Sequence, residues 1–344
     1  MQKLKIAQII LPWIPLPAKK YGGTERIVYT LTEELVRRGH EVTLFAAGDS
    51  QTNAKLDSIF PKSFGLQDNV KQMLVSNFNP LRHVAYAFSK AEQFDIIHSH
   101  AQYLGLPFSS LVKTPTVHTF HRVYEGTDDE KGLLQQFKDL NFVSISNSQR
   151  DLGLNFIATV YNGIPLESYE YSEKVGDYLF WTGRILPKKG VVESIEIAKK
   201  FGMKLKIAGV VTDGIFFEKN INPLIDGEHV EYLGELSQKE MASLYKGAYA
   251  TLFPISWREP FGLVMAESLV CGTPVVAFPF GAVPEIIEDG RTGFIVRTID
   301  EAVSSLKKIP SLKREDCRKL VEEKFTVIKM TDGYEGVYRK VLGL

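Results

Sequence analysis

Short apolar runs alternate with helix-like segments along almost the whole chain, and this alternation restricts the fold more than any other feature. Residues 4–11 (LKIAQIIL) have the length and composition of a buried strand. From Thr24, apolar residues recur at three- and four-residue steps until Gly39, which suits the end of a helix. Because a parallel sheet covered by helices on both faces needs such alternation, the sequence predicts the α/β class. The further strand candidates of this half are residues 41–47, 95–100, 115–120 and 141–146.

The alternation restarts in the second half of the chain, which indicates two domains. A polar stretch follows residues 159–165 (TVYNGIP), and a new strand pattern begins at residues 177–183 (DYLFWTG). A length of 344 residues also favours two domains. We predict two Rossmann-like, doubly wound parallel-sheet domains, over residues 1–165 and 166–325. Residues 326–344 have the pattern of an amphipathic helix that needs a surface to cover.

Charge and composition exclude several classes of protein. The 41 Lys and Arg residues balance 41 Asp and Glu residues, so no strong positive field exists to attract nucleic acid. Cys271 and Cys317 lack a C-x-x-C spacing, which argues against zinc and fits a reducing compartment. No apolar run approaches the roughly 18 residues of a membrane span. We therefore expect a cytoplasmic protein without a transmembrane segment, and leave open a peripheral contact with a membrane.

Two open parallel sheets in series predict a central cleft, since such sheets bind ligands beyond the carboxyl ends of their strands. The strongest motif of this kind is WREPFGLVMAESLVCGTPVV at residues 257–276, which joins a strand through a loop to a helix. Pro260 favours a helix start, so backbone N–H groups of residues 262–264 would be free at the positive end of the helix dipole. An anionic or sugar oxygen suits that position.

Two carboxylates of the same motif, Glu259 and Glu267, are separated by about 8 Å along the helix axis at ~1.5 Å per residue. One can hold hydroxyls of a transferred sugar and the other a ribose diol, because a carboxylate accepts hydrogen bonds from two adjacent hydroxyls. The alternative is a pair of solvated helix charges. The apolar neighbours of Glu267 favour a ligand, since an unpaired carboxylate among them would be costly.

A second motif, WTGRILPKKGV at residues 181–191, also joins a strand to a helix. Gly183 permits close approach of a ligand to the backbone, and Arg184 and Lys189 carry the charges that suit a diphosphate. Fixed cations there would stabilise a departing diphosphate more in the transition state than in the ground state. The alternative is a solvated basic turn, and this is the reading we give to the neighbouring Lys188.

Two weaker candidates lie in the first half of the chain. Gly22 and Gly23 form a turn that would let the diphosphate or an acceptor approach the backbone, with Thr24 as the helix cap. Such a turn is more often a plain chain reversal. Of the four histidines that follow strands, His121 falls just past a strand end, where its side chain can enter the cleft. A structural histidine is the alternative at this position.

Several motifs together resemble the family 4 glycosyltransferases, and the resemblance spans nearly the whole chain. In the second half these are GR-x4-KG at 183–190, EPFG-x4-E at 259–267, GAVPE at 281–285 and DGRTGF at 289–294. In the first half, VHTFH at 117–121, VSISNS at 143–148 and VYNGIP at 160–165 are similar to family landmarks. The resemblance implies a GT-B fold whose second domain holds the donor nucleotide sugar, and a C-terminal helix that returns to the first.

The resemblance also implies roles for individual residues. It assigns Arg184 and Lys189 to the donor diphosphate and Glu267 to the ribose. It assigns Glu259 and the backbone of Phe261, Gly262 and Leu263 to the donor sugar, His121 to the reacting sugar, and Gly22 and Gly23 to the phosphates or the acceptor.

The family is retaining and metal-independent, so the resemblance implies neither a cofactor nor a bound metal. The absence of a D-x-D pair agrees with this expectation. A UDP-sugar is the donor favoured by the family's habit. The acceptor, whether a small molecule, a glycan or a lipid-linked group, is not specified by the sequence, and neither is the oligomeric state.

Other functions are less well supported. No G-x-G-x-x-G follows a strand and no G-x4-G-K-[ST] occurs, which disfavours a nicotinamide enzyme and a P-loop NTPase. A sugar-nucleotide epimerase of the same fold is a closer alternative, although the paired Glu motif favours transfer. A two-domain sugar-binding protein would normally need a secretory signal and no diphosphate clamp, and both features point the other way.

Overall fold

The computed structural model describes residues 2–65, 78–123, 126–150 and 153–344. These residues form two compact units. Unit 1 contains the described residues up to Gly163 together with Val327–Leu344, and unit 2 contains Ile164–Thr326. The sequence predicts these two boundaries after residues 165 and 325. In the structure they lie after Gly163 and Thr326, which differ by two residues and by one residue.

Unit 1 is built around one sheet whose described strands are all parallel and follow the order β3-β2-β1-β4-β5-β6-β7. The strands are β1 (Lys5–Ile9), β2 (Glu41–Phe45), β3 (Lys55–Asp57), β4 (Ile96–Ser99), β5 (Thr116–Thr119), β6 (Asn141–Ser144) and β7 (Phe156–Thr159). The described helices are α1 (Gly23–Arg37), α2 (Phe78–Phe88), α3 (Leu106–Ser109), α4 (Asp128–Gln136) and the terminal α12 (Val327–Leu342).

Unit 2 repeats this design with a parallel sheet in the order β10-β9-β8-β11-β12-β13. Its strands are β8 (Tyr178–Thr182), β9 (Lys204–Ala208), β10 (Val230–Tyr232), β11 (Ala250–Phe253), β12 (Val275–Ala277) and β13 (Gly293–Ile295). Its helices are α5 (Val191–Phe201), α6 (Gly214–Asn220), α7 (Gln238–Gly247), α8 (Leu263–Val270), α9 (Val283–Ile286), α10 (Ile299–Leu306) and α11 (Arg314–Lys324).

The local sequence explains where these elements form. Helix α1 buries Ile27, Val28, Leu31 and Leu35, which recur at helical spacing and face the sheet. Helix α7 begins with a capping box, because the side chain of Ser237 accepts from the N–H three residues on and Glu240 bonds back. The central strands are buried along nearly their whole length, as expected of a parallel sheet covered on both faces.

Both sheets reverse their strand order at one point, and this fixes where a ligand can approach. The reversal lies between β1 and β4 in unit 1 and between β8 and β11 in unit 2. Open α/β sheets bind ligands beyond the carboxyl ends of strands at such points, because the connecting loops diverge there. The loops that follow these four strands are therefore the first places to examine for a site.

The terminal helix α12 completes unit 1, although it follows unit 2 in the chain. It buries Met330, Tyr334 and Tyr338, side chains whose removal from water contributes roughly 1.5–3 kcal/mol each. Glu335 of the same helix pairs with Arg38 at 2.6 Å and with His40 at 2.8 Å. These contacts join the end of the chain to its first helix. None of the helices that the structure describes has the length and apolarity needed to cross a membrane.

Both cysteines are buried thiols. Cys271 and Cys317 are free, and burial raises the pKa of each thiol to about 12. We expect neither to react with Ellman's reagent in the native protein near pH 8, where the thiolate fraction would be about one in 10,000. Both should react after unfolding in urea. Rapid titration of one thiol without urea would contradict this prediction.

Candidate functional site

The candidate site in unit 2 lies where strands β8 and β11 pair side by side. Strand β8 leads into the loop 183–190, and β11 leads into the loop 254–262. The strands are parallel, so both loops leave the same edge of the sheet at the point where the strand order reverses. The two strongest sequence motifs therefore begin beside each other.

Packing between these loops sets the position of Lys189. The buried indole of Trp181 donates from Nε1 to the carbonyl oxygen of Lys189 at 3.1 Å. Gly190 has a φ of 76°, and a Cβ atom at this position would stand 2.1 Å from the carbonyl oxygen of Pro254. Only glycine permits this approach, which places the Lys189 side chain next to the loop after β11.

Lys189 and Glu259 contact each other directly. Lys189 Nζ lies 2.8 Å from Glu259 Oε2, and the same oxygen accepts a hydrogen bond from Trp257 Nε1 at 3.0 Å. The ammonium group also lies 4.1 Å from the centre of the Trp257 ring, a cation–π geometry. Burial lowers the pKa of Lys189, and the Glu259 carboxylate opposes that shift. The opposite charges of these two predicted donor-binding groups therefore offset each other.

The backbone of Glu259 is fixed by the segment that carries the GAVPE motif. The N–H of Ala282 donates to the carbonyl oxygen of Glu259 at 2.8 Å. A Cβ atom at Gly281 would stand 2.2 Å from that oxygen and 2.3 Å from the Glu259 nitrogen. The motif thus supports the loop, and its glycine is needed for this close approach.

Arg184 lies at the same edge, half-buried, after the end of β8. Among the described residues, none forms a hydrogen bond or an ion pair with its guanidinium, whereas its charge does act on Lys189 and lowers the pKa of that group further. The carbonyl oxygen of the preceding Gly183 packs against Gly209, where a Cβ atom would come within 1.8 Å. Arg184 therefore presents an uncommitted cation beside the Lys189–Glu259 pair.

Helix α8 begins directly after this loop. Its N-cap is Gly262, with φ 83°, and no side chain caps the helix. The N–H groups of Leu263 and Val264, in its first turn, lack intrahelical partners and lie at the positive end of the dipole. The side chain of Phe261 is buried against Phe325 and anchors the loop that precedes α8. The backbone of Phe261 therefore lies at the start of this helix.

Glu267 lies in the second turn of α8 and is only 4% exposed. The hydroxyl of buried Tyr245, on α7, donates to its Oε2 at 3.0 Å. The apolar neighbours of Glu267 favour a ligand for this carboxylate, and the structure shows that a protein donor already satisfies one of its oxygens. The assignment of Glu267 to a ribose stays a prediction.

In unit 1, the Gly22–Gly23 turn follows β1 and starts helix α1. The N-cap is Gly22, with φ 146°, and no side-chain hydrogen bond caps the helix. The expectation that Thr24 would be the cap is wrong, since the helix starts at Gly23 and Thr24 lies inside its first turn. The assignment of Gly22 and Gly23 to the phosphates or the acceptor stays a prediction.

His121 lies two residues beyond the end of β5, as the sequence predicts, and is half-buried. Its Nε2 is 2.9 Å from Nδ1 of His100, which directly follows β4. Desolvation lowers the pKa of His121 to about 4. His98 and His118 lie inside strands, fully buried and bonded to hydroxyl groups, as structural histidines would be.

Sequence reasoning missed four residues that belong to the hydrogen-bonded surroundings of the predicted ones. Trp257 and Tyr245 donate to the two carboxylates of unit 2. Gln8 and Tyr338 join the histidine cluster of unit 1. Gln8 offered a signal, because an amide inside an otherwise apolar central strand needs buried partners.

The sites offer cations, carboxylates and free backbone N–H groups. Within the described ranges, no group of three or more His, Cys, Asp or Glu side chains is placed to hold a metal ion. Arg184, Lys189 and the start of α8 are groups that bind anions, and Glu259 retains an oxygen, Oε1, for a hydroxyl donor. This combination suits a polar ligand with both an anionic and a hydroxyl-bearing part.

Comparison with known proteins covers both units. A family model described as glycosyl transferases group 1 matches residues 172–325, and one described as glycosyltransferase family 4 matches residues 21–168. N-acetyl-alpha-D-glucosaminyl L-malate synthase of Bacillus anthracis is 26% identical, and the alignment covers 99% of this chain and 98% of that protein.

Solved structures share the fold at lower identity. A glycosyltransferase of avilamycin A biosynthesis has a TM-score of 0.75 at 22% identity, with 99% of this chain and 98% of that one covered. HepE of Anabaena, in complex with UDP and glucose, has a TM-score of 0.75 at 17% identity, with 98% and 100% covered. These likenesses confirm the fold that the sequence predicts.

Proposed function

Because the chain belongs to the family 4 glycosyltransferases and has the GT-B fold, we propose that it transfers a sugar from a nucleotide diphosphate sugar to an acceptor with retention of configuration. A UDP-sugar is the favoured donor, and no metal is required. The observation that carries this proposal is the cluster of Arg184, Lys189 and Glu259 beside the uncapped start of α8. It joins groups for a diphosphate to a carboxylate for sugar hydroxyls.

Each part of the donor has a proposed partner in unit 2. Arg184 and Lys189 bind the diphosphate, and the N–H groups at Gly262 and Leu263 bind sugar or phosphate oxygens. Glu259 holds sugar hydroxyls through Oε1, since its Oε2 is occupied by Lys189 and Trp257. Glu267, in the second turn of α8, is the proposed partner of the ribose.

The proposed reaction needs no protein nucleophile. The bond between the anomeric carbon and the phosphate oxygen breaks, and the acceptor oxygen bonds to the same face of that carbon. The acceptor proton passes to the leaving phosphate oxygen. Arg184 and Lys189 stabilise the negative charge that develops there, which is where fixed cations accelerate such a step. From unit 1 we propose His121 as the residue that contacts the transferred sugar, and Gly22 and Gly23 as contacts of the phosphates or the acceptor.

UDP leads the list of nucleotides to test, because HepE binds UDP and glucose on the same fold. We expect UDP and UDP-glucose to raise the melting temperature of the protein in buffer containing EDTA. Saturation at about 100 times Kd adds about 2.7 kcal/mol of stability to the unit that binds. UMP, which lacks the second phosphate, is the control and should stabilise less. A panel of ADP, GDP and UDP species without any shift would overturn the proposal, and a strict need for Mg²⁺ would overturn metal independence.

Product analysis separates transfer from epimerisation. With a radiolabelled sugar in the donor, a transferase moves the label to an acceptor or to water and releases UDP. An epimerase leaves the label attached to the nucleotide. Exclusive recovery of an epimerised UDP-sugar would contradict the proposed reaction.

A further inference from the structure

A chain of buried polar groups connects the terminal helix of unit 1 to His121. Starting at His121, Nε2 contacts His100 Nδ1 at 2.9 Å, and His100 Nε2 contacts the Gln8 amide oxygen Oε1 at 3.0 Å. The Gln8 amide nitrogen donates to the Tyr338 hydroxyl at 3.1 Å. That hydroxyl contacts His98 Nδ1 at 2.7 Å. The four residues behind His121 are at most 1% exposed.

The imidazoles in this chain are neutral. Burial lowers the pKa of His98 and of His100 well below the ordinary value, and their neighbouring histidines lower it further. A neutral imidazole has one N–H group and one lone pair, so each ring can donate from one nitrogen and accept at the other. If the partner of one ring nitrogen can only donate or only accept, the roles of both ring nitrogens follow.

Gln8 sets the donor-to-acceptor direction of every hydrogen bond in this series of polar groups. Its amide oxygen can only accept, so His100 Nε2 carries the hydrogen and His100 Nδ1 carries the lone pair. His121 must then donate from Nε2 to His100. At the other end, the Tyr338 oxygen accepts from the Gln8 amide, and its single hydrogen is directed to His98 Nδ1.

We propose that Gln8 and Tyr338 are positioning residues that hold His121 as its Nε2–H tautomer, so that Nδ1 faces substrate as a hydrogen-bond acceptor. The inference rests on the proposed function, in which His121 contacts the transferred sugar. An acceptor nitrogen favours a sugar hydroxyl and disfavours a phosphate oxygen, which has no hydrogen to give. A reversed amide of Gln8 would reverse every bond and present an N–H group instead.

The tautomer can be measured without any substrate. Histidine labelled with 15N in the full-length protein gives two-bond correlations that distinguish protonated from unprotonated ring nitrogens, and His121→Asn identifies the signals. We expect His121 to show a protonated Nε2 and an unprotonated Nδ1 near pH 7. A protonated Nδ1 would overturn the proposal, whatever the protein binds.

Variants test whether the chain serves catalysis or only packing. Gln8→Met fills a similar volume without polar groups, and Tyr338→Phe removes only the hydroxyl. Each leaves His100 without a fixed direction, so His121 should populate both tautomers. For hydrolysis of UDP-glucose to UDP and glucose, we expect kcat to fall about 10- to 100-fold with KM changed less than about threefold.

Tyr334→Phe is the matched control, because Tyr334 lies one turn away on the same helix and is also fully buried. Its hydroxyl meets Thr119 Oγ1 at 3.3 Å, outside the path from Gln8 to His121. It should keep both the tautomer and kcat. Equal losses in Tyr334→Phe and Tyr338→Phe, or an unchanged tautomer in both Gln8→Met and Tyr338→Phe, would overturn the inference. Absence of UDP-glucose binding would instead defeat the proposed function and leave the tautomer result standing.

Discussion

Replacement of Glu259 by Gln is expected to lower turnover about 10²- to 10³-fold, the cost typical of losing one group that stabilises a transition state. The amide keeps the volume of the side chain but removes the charge that pairs with Lys189 and that, in the proposed function, holds the sugar hydroxyls. Affinity for UDP should change less than about threefold, because UDP carries no transferred sugar for the side chain at position 259 to hold. UDP release from UDP-glucose and calorimetric titration with UDP measure the two quantities.

The partner variant, Lys189→Met, should instead weaken UDP binding about 10- to 100-fold, since a charge-assisted hydrogen bond contributes about 1.5–3 kcal/mol. It also leaves Glu259, 8% exposed, with Trp257 as its remaining described donor. Removing one member of a buried ion pair costs roughly 3–5 kcal/mol of stability. Weak binding must therefore be distinguished from a loss of folded protein, and circular dichroism at the assay temperature does this.

Two further variants complete this test. Lys188→Met removes the neighbouring charge, which lies 4.9 Å from the Trp257 ring centre, and should leave UDP affinity nearly unchanged. The double variant Lys189→Met with Glu259→Gln avoids the unpaired carboxylate and should recover stability without recovering binding. Wild-type affinity for UDP in Lys189→Met would show that the diphosphate binds elsewhere.

The sequence identified Lys189 and Glu259 but not their contact. The motifs show that each residue follows a strand, and the alternation of elements predicts that those strands share a sheet. The pairing of the two side chains depends on β8 and β11 being neighbours, and on Gly190 packing against Pro254. These are contacts between residues some 70 positions apart, which periodicity and turn chemistry do not encode.

Local patterns predicted the elements better than their ends. Apolar spacing predicts helix α1 but not its exact start. The helix begins after Gly22, whose φ of 146° glycine adopts far more readily than other residues, and Thr24 is not its cap. Glu267 illustrates a second limit. Its apolar neighbours correctly indicated burial, but the donor that satisfies it, Tyr245, belongs to another helix. The tertiary partners of a buried polar group have to be seen in the structure.

Mild acid is expected to destabilise unit 1 strongly because its sheet buries neutral histidines. Desolvation lowers the pKa of His118 to about 3 and that of His121 to about 4, and it lowers those of His98 and His100 as well. Below the unfolded value of about 6.5, the unfolded chain binds protons that the folded unit does not, so stability falls as pH falls. Between about pH 7 and pH 5.5, each such histidine removes about 1 kcal/mol.

These four histidines together would remove about 4 kcal/mol, which is comparable with the lower end of the stability of a whole domain. Burial also lowers the pKa of His83 in the same unit, which adds to the effect. Urea unfolding followed by circular dichroism at the two pH values measures this difference. His118→Leu should remove about 1 kcal/mol of this difference, because one buried neutral ring is lost. Leucine suits the position because the buried Nδ1 of His118 has no hydrogen-bond partner among the described residues and only the Ser109 contact of its Nε2 is lost. His229→Gln, which changes a largely exposed histidine of unit 2, is the matched control and should leave the dependence intact. An unfolding midpoint that does not move between the two pH values would mean that these rings accept protons without leaving the core, and the neutral hydrogen-bonded chain described for unit 1 would then be wrong.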